Sequence, residues 1–370
     1  MFAISCIEQT RATGERTMPN VVYLDVNGTT PVDLRVRDAI VEHLDQGDSV
    51  QPGFGNPSSS HAYGAKPREA VSSSRQLVCK LLGIDTSGEC KPADLLTFTS
   101  GGTESITWVA RSLAKDSYDR DPREGCHFVV SALEHVAVLA TIEAICAESR
   151  GLNTVSVAQS GCDGVVLPDT IINAIKPNTK GVFVMLANNE TGAIQPVAQT
   201  IRRIRALPEG GRIAVHVDAS QAFGKIPVSI EHLGCDYLTL AGHKCYSTKG
   251  VGALYHRHGV RLGGPASSML ASLPPAGERE QVPLRPLFFG GGQEGGRRAG
   301  TENVALIAGL GRAAEIAATE LAKDVWHSRR LRAALLGGLT AGLQGTVSGS
   351  QSSGSISIDD AAHCSAIKGV

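Results

Sequence analysis

The sequence predicts an α/β protein built on a mainly parallel, seven-stranded sheet covered by helices. Short β-branched apolar runs alternate with longer stretches of helical periodicity, and this is the pattern of repeated βαβ units. Glycine is plentiful at 42 residues and aromatics are sparse at 4%, which suits a fold with many tight turns. The chain has 370 residues, enough to bury a large core, and one large domain plus a smaller one is the natural expectation. No internal repeat is visible.

Taken in order, residues 1–20 read as a loose tail, and the alternation starts at Val22. The candidate strands are LLTFT (95–99), HFVVSA (127–132), TVSVA (154–158), GVFVMLA (181–187), IAVHV (213–217), YLTL (237–240) and VGALYH (251–256). Helix-like patterns occupy 69–82, 136–150 and 197–207 between them. The Pro- and Gly-rich segment 263–286 reads as a long loop near the functional site. After Asn303 an Ala- and Leu-rich stretch without proline reads as helix, with breaks expected at its glycines. From residue 345 the chain turns Ser- and Gly-rich and reads as flexible. The expected organisation is a tail (1–20), a large domain (21–309) and an incomplete small domain (310–370).

Charge and composition exclude several classes. There are 35 basic and 36 acidic residues, so neither nucleic acid nor an acidic membrane surface is the expected partner. No apolar run approaches the roughly 18 residues of a membrane helix. Nine scattered cysteines form no CxxC pair and no zinc spacing, and they read as reduced, mostly buried thiols of a cytosolic protein. The first twenty residues contain Glu8 and Glu15 and lack a secretory apolar core, so a cytoplasmic location is expected.

Four strand ends carry chemistry. Lys244, in AGHKCYS, closes a buried run inside a Gly-bounded turn. An amine in a partly dry pocket loses its charge easily and can form a Schiff base with a carbonyl cofactor, although most lysines are solvated surface residues. Asp218, in HVDASQAFGK, ends the IAVHV run at the carboxyl edge where open sheets place their ligands. It can pair with a protonated ring nitrogen, or it can simply cap a helix. Gln221, three residues on, can donate to a phenolic oxygen. In FTSGGTES, Gly101, Gly102 and Thr103 suit an anion cup at a helix start, or an ordinary strand-to-helix turn. His135, in SALEHVAV, can stack on a flat ring and exchange protons, or be a packed core histidine.

The order of these parts resembles the class V branch of the fold-type I pyridoxal-phosphate (PLP) enzymes. YLDVNGTTPVD, FGNPSSSHAYG, LANNETGAIQP and FGGGQEGGRRAGTEN resemble that family's motifs, and the resemblance runs from Val22 to Leu310. Val26 and Thr107 depart from the residues common there. The family contains cysteine desulfurases and selenocysteine lyases. NNETG, the GGGQE…GTEN run and the apolar Ala241 before His243 make the chain more similar to the lyases.

The resemblance implies a PLP-dependent lyase that converts L-selenocysteine to L-alanine with release of selenium. The alternatives are a cysteine desulfurase, or an inactive chain that only binds PLP. It implies that Lys244 bears the cofactor and moves protons, that Asp218 faces the ring nitrogen, and that His135 stacks and acts in catalysis. Asn189 and Gln221 then serve the phenolic oxygen, and Gly102, Thr103 and His243 hold the phosphate. Thr301 is implied to reach the phosphate of a partner subunit in a homodimer whose other partner is a small amino-acid substrate. Family members also carry a catalytic cysteine and a substrate-binding arginine in a C-terminal small domain. Most of that domain is expected to be missing here, with Cys364 poorly placed to substitute.

Overall fold

The elements come in the order the alternation requires. The structure is a computed structural model that describes residues 23–44, 53–84, 91–208, 210–257 and 284–347. In chain order they are α1 (Leu34–Val41), α2 (Ala62–Leu81), α3 (Pro92–Leu95), β1 (Leu96–Thr99), α4 (Gly102–Arg120), β2 (His127–Ser131) and α5 (Val136–Glu148). Next come β3 (Thr154–Ala158), α6 (Pro168–Ala174), β4 (Thr179–Met185), α7 (Val197–Arg205), β5 (Ala214–Asp218) and α8 (Ile230–Leu233). The series ends with β6 (Tyr237–Ala241), β7 (Gly252–His256) and α9 (Val304–Val347). All seven candidate strands are present, with β4 beginning and ending slightly earlier than its apolar run.

The strands form one sheet in the order β1-β7-β6-β5-β4-β2-β3. β2, β3, β4, β5 and β6 pair in parallel, while β7 runs antiparallel to both β1 and β6. β1, β2, β5, β6 and β7 are buried along their whole length. That explains why the runs are continuously apolar rather than alternating, since helices cover both faces. Neighbouring residues feed opposite layers. Val129, Val182, Val215 and Leu238 join one core with α2 and α9, while Phe128, Phe183, Ala214 and Tyr237 join a second with α4 and α5. β3, at the edge, is buried fully only at Ala158.

The expected glycine breaks in the last helix are a correction. α9 runs unbroken for 44 residues, across the expected boundary at 309/310. Packing overrides the helix cost of glycine, roughly 1 kcal/mol each. A Cβ on Gly309 would come 2.7 Å from Ile40, and one on Gly311 2.6 Å from Ser74. The glycines let α9 close on α1 and α2. The first turns of α9 are buried through Leu310, Ala314 and Ala317, whereas Trp326, Leu331, Leu335 and Leu339 further along are exposed. The expected tail at 1–20, most of the loop 263–286, and the Ser- and Gly-rich end past 347, with Cys364, lie outside the described residues. No helix among the described residues is long and apolar enough to cross a membrane.

Candidate active site

The carboxyl ends of β1, β2, β4, β5 and β6 converge on one cavity of about 750 Å³. The handover from strand to turn at each end sets what faces it. Gly102 and Thr103 enter from the start of α4, which follows β1 directly. His135 comes from the turn after β2, Asn189 from the turn after β4, Asp218 and Gln221 from β5 and its following turn, and His243 and Lys244 from the turn after β6. Eight of the nine expected site residues therefore line a single cavity. Thr301 does not line it; it lies exposed on the loop before α9.

Local geometry decides between the readings left open by sequence. Asp218 does not cap a helix, because a turn rather than a helix follows β5. Its Oδ1 accepts the Ser220 N–H at 2.9 Å and the residue is 7% exposed. His135 is an exposed cavity residue and not a packed core histidine. It caps α5, with Nδ1 accepting the Ala137 N–H at 3.1 Å, so a neutral ring carries its proton on Nε2. The two asparagines of NNETG divide their work. Asn188 builds the turn, its Oδ1 accepting from the N–H groups of Glu190 and Thr191, and Asn189 faces the cavity. Ser100-Gly101-Gly102-Thr103 opens the 19-residue α4, and the free N–H groups and dipole of that first turn favour an anion.

Lys244 is half-buried, and its Nζ donates to the carbonyls of Asn27 at 2.6 Å and Gly28 at 2.9 Å. Burial lowers its pKa from the ordinary lysine value, with Asp218 and Asp25 partly opposing the effect. His243 is lowered too, first by burial and then by Lys244 and other nearby cations. Next along the chain, Cys245 is buried, and its thiol is pushed up to about 12 by that burial, so it is a packing group and not a nucleophile.

Three parts of the site were missed by sequence reasoning. The first is the Asp25–Gly28 segment, which closes one side of the cavity. It is held down by Thr30, whose N–H and Oγ1 both donate to the His243 carbonyl, at 2.9 and 3.0 Å. The NGTTP signature contained these residues, but nothing local shows that a segment over 200 residues upstream folds onto the lysine turn. The second is Glu134, 6% exposed, whose Oε1 accepts from Ser131 Oγ at 2.5 Å and from Met185 N–H at 2.6 Å. Its Oε2 has no partner among the described residues. Burial, and secondarily the nearby Asp218, pushes its pKa up to about 8. Its position beside His135 was the available signal. The third is the coupling of the anion cup to the loop that bears Thr301. Glu104, in the first turn of α4, accepts the Ser100 N–H at 2.8 Å and pairs with Arg298 at 2.9 Å. Burial opposes ionisation of Glu104, and Arg298 and Ser100 outweigh it, so its pKa lies below the ordinary value.

Residues 22–359 match the family described as "Aminotransferase class-V". The chain belongs to that family. A selenocysteine lyase of Rattus norvegicus is 36% identical over 330 residues, 84% of this chain and 68% of the relative. A cysteine desulfurase IscS of Methanosarcina thermophila is 35% identical over 323 residues, 87% of this chain and 69% of the relative. Among solved structures, one titled "NIFS-LIKE PROTEIN" superposes with a TM-score of 0.72 at 34% identity, covering 86% of this chain and 76% of its own. Class V aminotransferases and these relatives are PLP-dependent enzymes of fold type I, and this chain is one. Its cavity fits that cofactor on its own chemistry. A carboxylate at Asp218, an amine of lowered proton affinity at Lys244 and a Gly-Thr helix start at Gly102 and Thr103 face one cavity. These are the three groups that a pyridine ring, an aldehyde and a phosphate require.

Proposed function

We propose that the chain is a lyase that converts L-selenocysteine to L-alanine with release of selenium. The observation that carries the reading is the meeting of Lys244 and Asp218 in one cavity with the Gly102–Thr103 helix start. When bound, PLP supplies an electron sink for the substrate's Cα. Lys244 Nζ anchors the cofactor and moves the proton at Cα, a role suited to an amine whose charge burial disfavours. With the cofactor bound, the Asp218 carboxylate would hold a proton on the ring nitrogen, and the exposed His135 ring would pack against the cofactor ring. Gln221 and Asn189 orient toward the phenolic oxygen. Gly102, Thr103 and His243 bind the phosphate. Thr301, on its exposed loop, serves the phosphate of a second copy, so the working form is a homodimer. A cytosolic location belongs to the same reading.

The selenium preference rests on the likeness to selenocysteine lyases and on leaving-group chemistry. A selenol is far more acidic than a thiol and departs already ionised at neutral pH. A cysteine desulfurase is the second reading, favoured by the archaeal relative at nearly equal identity. Competing assays decide between them. The holoenzyme is given each amino acid with a dithiol, and alanine is measured beside released selenide or sulfide. A clear excess of kcat/KM for selenocysteine is expected. Equal or greater kcat/KM for cysteine transfers the reading to the desulfurase.

A further inference from the structure

Outside the cavity lining sits a second lysine that the cofactor reading leaves without a role. Lys225 follows Gly224, whose φ of +72° turns the chain after β5 and whose missing Cβ leaves room for the Cys245 sulfur. A Cβ there would lie 2.2 Å from that sulfur, so the turn that presents Lys225 is tightly specified. Lys225 Nζ donates to Gln221 Oε1 at 2.7 Å and, more weakly, to Asn27 Oδ1 at 3.4 Å. Gln221 Nε2 then donates to the Asn27 carbonyl at 2.8 Å. That same carbonyl accepts from Lys244 Nζ at 2.6 Å. Asn27 Nδ2 donates in turn to the Asn189 carbonyl at 3.2 Å.

The chemistry of the donors makes this network directional. An ammonium carries donors only, so Lys225 can bind only the oxygen end of the Gln221 amide. The NH2 end is thereby aimed at Asn27 and the cavity. Without Lys225, only the Asn27 carbonyl, which also takes the Lys244 ammonium, holds the NH2 end inward. An inward oxygen would repel a phenolate, whereas an inward NH2 donates to it. Among the described residues Lys225 is paired with amide oxygens and not with a carboxylate. No carboxylate partner on Lys225 therefore offsets the repulsion between its charge and that of Lys244. Burial, and then the neighbouring Lys244, brings the Lys225 pKa down to about 8.

We propose that Lys225 is a positioning residue for the cofactor site, holding the Gln221 amide NH2 inward and placing a positive charge behind the amine that bears the cofactor. The proposal rests on the assignment of Lys244 as that amine. The charged groups around Lys244 are Asp218 from β5 and Asp25 from the N-terminal segment, which favour its charge, and Lys225 and His243, whose own pKa values the Lys244 charge helps to lower. Both effects of Lys225 act in one direction. A nearby cation and a donor to the phenolate each disfavour protonation at the amine nitrogen.

The test uses PLP-loaded full chain and reads the pH midpoint of the visible band of bound cofactor. Lys244→Ala is the control for the underlying assignment and is expected to lose that band. In Lys225→Met the midpoint is expected to rise by about one pH unit, a tenfold change in proton affinity. Lys225→Arg, which keeps the charge and the donors, is expected to return it most of the way. If Lys225→Met does not fold, Lys225→Gln is read in its place, with the same upward shift expected. Gln221→Met should shift the midpoint in the same direction by less, and the double variant should shift it by less than the two effects summed. A folded, PLP-loaded neutral variant with an unchanged midpoint overturns the proposal. A band that survives Lys244→Ala overturns the assignment beneath it, and the two failures are distinct.

Discussion

Two buried glutamates lie toward opposite ends of the same sheet in contrasting surroundings. Glu294, beside edge strand β1, has a side chain 2% exposed and is fully answered by Arg75, itself 8% exposed, through a two-pronged pair at 2.7 and 2.9 Å. The Phe98 N–H adds a third donor at 3.3 Å, and Arg75 also reaches the Leu96 carbonyl at 2.7 Å and stacks over the Phe98 ring. Glu134, between β2 and β4, meets no cation among the described residues. One oxygen takes two donors, the other has none among the described residues, and its nearest charged neighbour of consequence is Asp218. The first arrangement is an anchor. It pins the GGGQE segment to β1 strongly enough to hold Glu294 at a φ of +50°. The second favours a protonated acid beside the cofactor site, because burial first, and then the nearby Asp218, make a bare carboxylate costly there. Full compensation fixes structure, and partial compensation leaves a titratable group.

The largest expected break separates site from anchor. Lys244→Ala should lower turnover by more than about a thousandfold while changing folding stability by less than about 1 kcal/mol. Kinetics beside denaturant unfolding check it, and a stability loss matching the activity loss would refute the separation. At the anchor the effects should be reversed. Arg75→Met strands a buried carboxylate and should lower the unfolding free energy, read from denaturant curves, by about 3–5 kcal/mol. Replacing both partners, Arg75→Met with Glu294→Leu, should recover most of that loss, because no charge is then left buried.

Glu134→Gln sharpens the contrast through pH. In the folded state Glu134 keeps its proton to about pH 8, whereas an unfolded glutamate releases it near its ordinary value of 4.5. Below 4.5 both states hold the proton and the group is neutral in effect. Between the two values the unfolded state holds fewer protons, so wild-type stability falls as pH rises through that window. Glutamine cannot ionise. The stability difference, variant minus wild type, should be near zero at pH 4 and reach on the order of 4 kcal/mol in favour of the variant at pH 8. Unfolding curves across that range check it, and a flat difference would show that Glu134 is ionised in the fold.

How much of this was legible in the sequence differs between the two regions. Strands could be read because burial on both faces demands unbroken apolar runs such as IAVHV and YLTL. Lys244, Asp218, Gln221, Thr103 and His135 could be read because they follow such runs within a few residues, whereas Asn189, Thr301 and the phosphate role of His243 came from the resemblance of the surrounding motifs. Gly102, Thr103, His135, Asn189, Asp218, Gln221, His243 and Lys244 share one cavity because each sits at or just past the carboxyl end of a strand. Arg75 and Glu294 are 219 residues apart, and neither interrupts a periodic pattern, so no local signal paired them.

The sequence by itself determined the βαβ alternation, the strand positions and the chemistry of the strand ends, because hydrophobic period and turn composition act over a few residues. The tertiary structure alone decided the strand order, the unbroken α9, the turn instead of a helix after Asp218, and the folding of Asn27 onto Lys244 and Gln221. It also decided the charge states, since whether Glu134 stays protonated or Glu294 stays paired depends on which distant groups the fold brings to each carboxylate.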